Sequence, residues 1–387
     1  MQGFADGGNR VSDTSDDTLT LDLDGQRLLG WQRIRVTRGI ERMPSDFDLE
    51  ATERSPDGSK VAVIPGTPCT VRIGGDAVVT GFVDRYTASL GVGQHQTNLS
   101  GRSKCEDIVD CAAVYPGAQI SAGSVLQLAQ DLCKPYSVTA SGEAGPAVPQ
   151  FNLNLGETAW EIIDRVTRYG ALLAYDAPDG NLVLSKLGTI VHTSGFEQGV
   201  NVQSANVAYG MDQRYSEYVS AFMSVDRLSD VGAGGNLLGT VRDEGVKRFR
   251  RRVIVSEQTI NGQPLALARA TWERNRRYGR SQAVTVVCDT WRDSAGLLWQ
   301  PNQLAPVHIP VLKLLRQQWL ISEVSYERDE RNGTTARVTL MPREAFEVEP
   351  VVLQPFSMDL DQAINDANKG SGAPSVAQAN KPGPGHA

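Results

Sequence analysis

The stretch Phe47-Asp-Leu-Glu-Ala-Thr52 alternates apolar and polar side chains, and Arg33-Ile-Arg-Val36 before it does the same. Successive side chains of a β-strand point to opposite faces, so this two-residue period predicts antiparallel strands with one buried and one wet face. Val71-Arg-Ile-Gly-Gly-Asp-Ala-Val-Val79 continues the pattern as a hairpin that turns at Gly74-Gly75. Residues 19–101 are therefore predicted to form a first barrel-like β-domain.

A helical pattern follows this β-domain. Ser103-Lys-Cys-Glu106 and Thr158-Ala-Trp-Glu161 match the capping box, and each is predicted to open a helix. A further helix is expected from about Ser124 to Cys133, because Pro135 cannot continue it. Pro178-Asp-Gly180 predicts a turn between two short strands. Residues 102–190 are thus predicted to form a small α+β module.

Strand-like patterning returns in residues 191–225 and again in 281–346, where Asn332-Gly333 predicts a turn. The two segments together predict a second barrel-like β-domain. Between them, residues 226–280 are predicted to be an inserted basic module with a helix between Pro264 and Gly279. Residues 1–18 are predicted to be disordered, as is the C-terminal extension 347–387 from about residue 363. The predicted fold class is α+β, mainly β.

The charge is distributed unevenly. The net charge of the 387 residues is −7, but Arg242 to Arg280 carry +7, which leaves −14 elsewhere. An acidic chain without interleaved aromatic residues is not typical of nucleic-acid binders, so the basic segment favours contact with an acidic protein surface. The candidate subunit or partner contacts are Lys247, Arg248, Arg250, Arg251, Arg252, Arg274, Arg276 and Arg277, with Arg280 close by.

Motifs of metal, cofactor and nucleophile chemistry do not occur in the sequence. The five cysteines lack CxxC spacing and the four histidines are isolated, so neither a metal site nor a disulfide framework is predicted. Gly232-Ala-Gly-Gly235 is not followed by the lysine of a phosphate-binding loop, and GxSxG is absent. No catalytic residue, metal or cofactor is predicted. A run of 18 apolar residues is also absent, which argues against a membrane-spanning helix.

Some side chains allow a functional and a structural interpretation. Glu157, Glu161 and Asp164 offer carboxylates for a glycosidase pair, but their spacing favours capping and surface roles. The six tryptophans are interpreted as core residues, with an interface as the alternative for Trp291 and Trp299.

Three pairs of motifs occur in a defined order. They are Val79-Thr-Gly-Phe-Val-Asp84 with Ser100-Gly-Arg-Ser-Lys-Cys-Glu-Asp-Ile-Val-Asp-Cys111, Gly156-Glu-Thr-Ala-Trp-Glu-Ile-Ile-Asp164 with Gly180-Asn-Leu-Val-Leu184, and Trp291-Arg-Asp-Ser-Ala-Gly-Leu-Leu-Trp-Gln-Pro-Asn302 with Trp319-Leu-Ile-Ser322. In this order and spacing, over about residues 19–346, they resemble the hub proteins of contractile phage tails, the family of late control protein D and Mu-type baseplate hubs.

The resemblance implies a structural hub in the virion's tail baseplate, assembled in the host cytoplasm. It implies a homotrimer whose two barrels per subunit alternate in a pseudo-hexameric ring, similar to the barrels of type VI secretion spike proteins. The implied partners are the hexameric tail tube protein, the trimeric central spike protein and other baseplate proteins, with the tape measure protein as a further candidate. DNA would pass only as cargo through an acidic channel, and no membrane partner is implied.

Two alternatives remain open at the level of sequence. A tail-associated enzyme that degrades cell wall requires a helical domain with a Glu/Asp pair in a cleft. A sugar-binding tail protein requires rows of exposed aromatic side chains.

Overall fold

The computed structural model describes residues 17–23, 25–51, 63–92, 94–115, 119–120, 123–148, 151–224, 236–259 and 262–348. The predicted fold class, α+β and mainly β, is confirmed, since strands predominate and four α-helices accompany them in this part. The ends predicted to be disordered lie outside the described residues, except for residues 17 and 18. The loop Gly232-Ala-Gly-Gly235 also lies outside them.

The first β-unit consists of seven described strands. They are β1 (Leu19–Leu23), β2 (Gln26–Leu28), β3 (Arg33–Gly39), β4 (Asp46–Ala51), β5 (Pro68–Ile73), β6 (Asp76–Gly91) and β7 (Gln94–Ser103). Their pairs are antiparallel, and in β4 the apolar side chains of Phe47 and Leu49 are buried as their alternation predicts. The predicted hairpin at Gly74-Gly75 joins β5 to β6.

The α+β module follows in the chain. Its helices are α1 (Glu106–Asp110), α2 (Val125–Cys133) and α3 (Ala159–Tyr169), and its strands are β8 (Gln119–Ile120), β9 (Gly123–Ser124), β10 (Ala140–Gly142), β11 (Ala147–Val148), β12 (Phe151–Asn152), β13 (Leu173–Asp176) and β14 (Leu182–Ser185). The apolar faces of the helices and the sheet β10–β14–β13 bury a core of their own. The predicted turn at Pro178-Asp-Gly180 connects β13 to β14.

The remaining elements are β15 (Phe196–Glu197), β16 (Val202–Tyr209), β17 (Glu217–Ser224), β18 (Asn236–Arg242), β19 (Arg251–Thr259), α4 (Gly262–Arg280), β20 (Gln282–Cys288), β21 (Leu304–Ile309), β22 (Leu314–Asp329) and β23 (Gly333–Met341). Within this set, β15, β16 and β20–β23 form the second β-unit. Its hairpin β22–β23 turns at Asn332-Gly333, as predicted.

One 13-stranded sheet joins the two β-units. It runs β16–β20–β23–β22–β3–β4–β7–β6–β5–β1–β2, with β21 on β22 and β15 on β21. The junction is the antiparallel pair β3–β22, where Val36 lies opposite Tyr326 and the Thr37 and Ser325 hydroxyls are 2.8 Å apart. Both units also contribute to one buried hydrophobic core. The two units therefore form one packed body rather than two tethered domains.

The two predicted capping boxes have different outcomes. At Thr158 the prediction is confirmed, because its side chain accepts from the Glu161 amide while Glu161 accepts from the Thr158 amide. At Ser103 it is wrong, since α1 begins at Glu106 and no side chain caps it. Ser103 ends β7 and pairs with Gly81 of β6. A Cβ on Gly81 would lie 1.9 Å from the Arg102 carbonyl oxygen, so this glycine permits the close strand pair.

The predicted boundary between the second β-unit and the basic module, at residue 225, does not match the position of β17. The sequence groups residues 217–224 with the second β-unit, whereas β17 is the central strand of a separate sheet ordered β18–β17–β19. The alternation in β17 buries Tyr218 and Ser220 on the side of that sheet next to α4. An alternating strand pattern shows that a face is buried, but it does not identify the element that covers it.

Trp291 and Trp299 lie in the core, so the interface alternative for these two residues is wrong. Both are fully buried, and each indole N–H donates to a backbone carbonyl, of Thr335 at 2.7 Å and of Thr290 at 3.0 Å. The Tyr326 ring packs edge-on against Trp291. These tryptophans stabilise the second β-unit from within.

All five cysteines are free thiols, and four of them are buried. Burial raises the pKa of the Cys69 and Cys133 thiols to about 12. These thiols stay protonated at neutral pH and pack as small apolar groups.

Candidate interaction surface

The basic module is built from the sheet β18–β17–β19 with α4 packed on one face. The packing is close: a Cβ on Gly239 of β18 would lie 2.4 Å from the backbone carbon of Ala266 in α4. Ala266 and Ala270 are fully buried. Small residues on both elements let the backbones approach, and α4 therefore holds its arginines against the sheet.

An aromatic ring organises three of the predicted arginines. The guanidinium carbons of Arg250, Arg252 and Arg277 lie 5.0, 5.8 and 5.4 Å from the Tyr215 ring centroid. A guanidinium within about 6 Å of an aromatic centroid gains a cation–π attraction. Tyr215 therefore brings together side chains from the strand and the helix, and the cation–π attraction offsets part of the repulsion between these like charges.

Carboxylates neutralise the same cluster. Glu273 accepts from Arg252 at 2.9 Å and from Arg277 at 2.6 Å. Arg214 donates both arms of its guanidinium to Asp243 at 3.0 and 2.9 Å, and this pair is buried. Paired, hydrogen-bonded charges of this kind are costly to break, because the remaining partner would stay buried without compensation.

The outer side of α4 is tied to distant parts of the chain. Arg276 donates to the Glu347 carbonyl at 3.2 Å and to Glu41 at 3.1 Å, and Arg280 also pairs with Glu41. The Trp272 indole donates to the Glu347 carbonyl at 2.7 Å. Burial lowers the pKa of Arg276. These contacts hold the basic module against the turn after β3 and against the chain that follows β23.

Most of the predicted basic contacts thus have partners within the chain. Of the eight, Arg250, Arg252, Arg276 and Arg277 join the networks above, and Arg251 pairs with Glu217 at 2.5 Å while remaining half exposed. Arg274 is half-buried, and its Nε atom has no hydrogen bond in the described part of the chain. Lys247 and Arg248 are exposed, and neither forms an ion pair with the described residues. The structure therefore brings Arg250, Arg252 and Arg277 together around Tyr215 and gives Arg251 and Arg276 partners elsewhere. Lys247 and Arg248 are left without an ion pair to any residue in the described ranges.

The sequence did not single out the apolar side chains beside these cations. Phe249 is 76% exposed, Val253 54% and Val255 83%. The stretch Arg251-Arg-Val-Ile-Val255 places three apolar residues in succession. A continuous apolar run does not show which face of a strand is covered, and only the three-dimensional pairing shows that the face of Val253 and Val255 is open.

A cleft of about 370 Å³ lies between α3 and α4. It is lined by apolar and charged side chains, among them Trp160, Trp272, Arg168 and Arg276. Nearby, Glu157 pairs with Arg165 at 2.8 Å and Asp164 pairs with Arg168 at 2.5 Å. Asp164 is partly exposed, as its predicted surface role requires, whereas the Glu157 side chain is largely buried.

Within the described ranges, no group of three His, Cys, Asp or Glu side chains could hold a metal ion. None of the helices in the described part is long and apolar enough to cross a membrane.

Three family models match the chain. They describe the N-terminal domain of the Mu phage baseplate assembly protein GpP-like family at residues 18–103, the second domain of baseplate hub protein gp44-like proteins at 105–186, and the fourth domain of the Mu phage baseplate assembly protein GpP at 263–349. The baseplate hub protein gp44 of Escherichia phage Mu is 32% identical over 340 residues, which cover 85% of this chain and 89% of that protein.

Solved structures show the same architecture. The 43 kDa tail protein of prophage MuSo2 from Shewanella oneidensis matches with a TM-score of 0.76 and 29% identity over 85% of this chain and 99% of its own. The type VI secretion component c3393 of E. coli, described as similar to the T4 tail proteins gp27 and gp5, matches with a TM-score of 0.53 and 11% identity over 83% of this chain and 76% of its own. At 11% identity, the likeness to c3393 shows a shared fold alone.

Proposed function

The chain belongs to the family of Mu-type phage baseplate hub proteins, and from this premise we propose that three copies form a ring that joins the tail tube to the central spike. As a member of that family, the chain is a structural protein of the tail baseplate in the virion. The alternative of a tail-associated enzyme is not favoured, because the matching family models and the gp44 relative are baseplate proteins.

The observation that carries the ring proposal is the joining of two β-units in one chain. They share a sheet and a core, so each copy offers two rigidly linked units. We propose that these units are the two ring-forming domains of the subunit. Three copies then present six β-units, which lets a three-fold assembly meet a hexameric tube on one face and a trimeric spike on the other.

The proposed ring leaves a channel for DNA. The chain outside Arg242 to Arg280 has a net charge of −14, and a channel lined by that part would repel phosphates and limit adhesion during passage. The free strand edges of a ring subunit would be covered by its neighbours, which removes a risk of aggregation. Other baseplate proteins, and the tape measure protein within the tube, are the remaining proposed partners.

Sedimentation velocity of the purified full-length chain tests the proposal. We expect a species of three times the subunit mass of 41.9 kDa, and co-sedimentation with a preformed ring of the tail tube protein. A chain that stays monomeric at every concentration up to the tens of micromolar would contradict the ring.

A further inference from the structure

The cleft between α3 and α4 adjoins a second cavity of about 690 Å³. Leu173, Trp272 and Val348 line both cavities, so the two form one groove, which we call the joined cleft. Trp160 lies in the first cavity and Lys186 in the second, and apolar residues outnumber the others around both. Clefts that bind ligands have volumes of about 300–1,000 Å³ and mostly apolar walls. The joined cleft is therefore large enough to receive several side chains of a bound segment.

The last described residues of the chain lie in this cleft. The Glu347 carbonyl oxygen accepts from the Trp272 indole at 2.7 Å and from Arg276 at 3.2 Å. The Glu347 carboxylate accepts from the Asn275 amide at 3.1 and 2.9 Å. Three side chains of α4 thus hold Glu347 in place, and Val348 follows it between the two cavities. The chain beyond Val348 therefore starts from the joined cleft.

The sequence that follows Val348 has the composition of a docking segment. Glu349-Pro-Val-Val-Leu-Gln-Pro-Phe-Ser-Met-Asp-Leu-Asp-Gln362 contains six large apolar side chains and has a net charge of −3. Beyond it, residues 363–387 contain only two large apolar side chains, Ile364 and Val376. The apolar residues are concentrated directly after the cleft, and their removal from water would stabilise a docked state. We call residues 349–362 the C-terminal segment.

The charges of the joined cleft suit this segment. Four Lys or Arg side chains and three carboxylates line the two cavities. Two of these cations are paired with two of the carboxylates. Lys186 and Arg343 are exposed, and neither forms an ion pair with a residue in the described ranges. These two side chains are available to the acidic residues of the segment.

Connectivity favours the chain's own segment over a separate partner. A short link between a segment and its site gives an effective concentration in the millimolar range. The C-terminal segment begins at the cleft itself, so it would fill the site even if the free peptide bound only weakly.

We propose that the C-terminal segment docks in the joined cleft of its own chain. The apolar side chains of Val351 to Phe356 would pack against Leu173 and Trp272, and the acidic residues would face Lys186 and Arg343. The docked segment would tie the α+β module, which contributes α3 and β13 to the cleft, to α4 of the basic module. This inference does not depend on the proposed ring.

Competition by a free peptide tests the docking in the full-length chain. The probe is a fluorescein-labelled synthetic peptide of residues 349–362, and fluorescence anisotropy measures its Kd. The segment variant, Leu353→Asp with Phe356→Asp, should bind this peptide at least about tenfold more tightly than the native chain, whose cleft is occupied. The matched control, Ile364→Asp with Val376→Asp, makes the same exchanges outside the segment and should bind like the native chain.

Three results of this competition would overturn the proposal. Equal Kd values for the native chain and the segment variant would show that the native cleft is not occupied by its own segment. Absence of binding to either chain would show that the cleft does not accept the segment. Tighter binding of the peptide by the native chain on dilution would show that the occupant comes from a neighbouring copy.

Variants of the cleft, made in the segment variant, test where the peptide binds. Lys186→Glu with Arg343→Glu should weaken peptide binding about fivefold or more, and Trp160→Ala should also weaken it by removing apolar lining. Lys313→Glu with Arg331→Glu, at exposed sites outside both cavities, should leave the Kd unchanged.

Thermal unfolding checks that each variant is folded. If both charge variants bind the peptide equally, the binding site lies elsewhere and the proposal is overturned. A native chain that stays monomeric contradicts the proposed ring and leaves the competition result unaffected, so the two proposals fail separately.

Discussion

Glu106 shows how a single carboxyl group responds to its place in the fold. It begins α1, is buried next to Asp84, and lies 3.2 Å from the Arg102 guanidinium. Burial, followed by the neighbouring Asp84 carboxyl group, raises its pKa to about 8, although Arg102 acts in the opposite direction. Glu106 therefore carries a proton at neutral pH, at the junction between the first β-unit and the α+β module.

This proton makes stability depend on pH. The folded chain holds it more tightly than the unfolded chain, where the pKa is near 4.5. Stability should therefore fall as pH rises from about 4.5 to 8. Glu106→Gln removes this ionisation, so its free energy of unfolding should not fall over this range. Urea unfolding should show the variant gaining about 2–4 kcal/mol of stability over the native chain as pH rises from 5 to 8. The exposed substitution Glu244→Gln is the control, and parallel pH profiles for the native chain and Glu106→Gln would refute the assignment.

Single residues also show where sequence reasoning stops. The charge pattern of the sequence indicates the eight basic candidates, and five of them have hydrogen-bonding or ring partners elsewhere in the chain. The sequence does not indicate the role of Tyr215, whose ring contacts arginines of β19 and α4. These arginines are distant from Tyr215 in the sequence. Spacing along the chain carries no information about a contact of that kind.

At the scale of elements, the pair β3–β22 holds the two β-units together. Thr37 and Ser325 form a buried hydrogen bond across it, between residues that are 288 positions apart. Thr37→Val leaves the buried Ser325 hydroxyl without its partner, which should cost about 1–3 kcal/mol. Ser325→Ala should cost less, because the Thr37 hydroxyl still accepts from Arg35 at 3.2 Å. The double variant removes both hydroxyls and should cost less than the sum of the two. Urea unfolding of the four chains measures this coupling, and strictly additive losses would show that the units are not coupled there.

The elements that could be predicted from the sequence are the local ones. The Thr158 capping box and the turn at Asn332-Gly333 depend on a few neighbouring residues, and both are confirmed. The Ser103 capping box failed because a tertiary pairing with Gly81 keeps that residue in a strand. The assignment of β17 to a separate sheet depends on α4, which is about 40 positions further along the chain. Long-range pairing is the physical reason why the remaining elements could not be derived.

At the scale of the whole molecule, family and location followed from motif order, and the comparisons confirm them. The central proposal at this scale is that three copies of the chain assemble into a ring. The two β-units share one sheet and one core, and this rigid link supports the proposed ring of three copies.

An electron-microscopy image of the purified full-length chain, viewed down its symmetry axis, tests this claim most directly. The account predicts a three-fold particle with six similar β-lobes around an open channel. A monomer, a two-fold particle or a three-fold particle without a channel would contradict it.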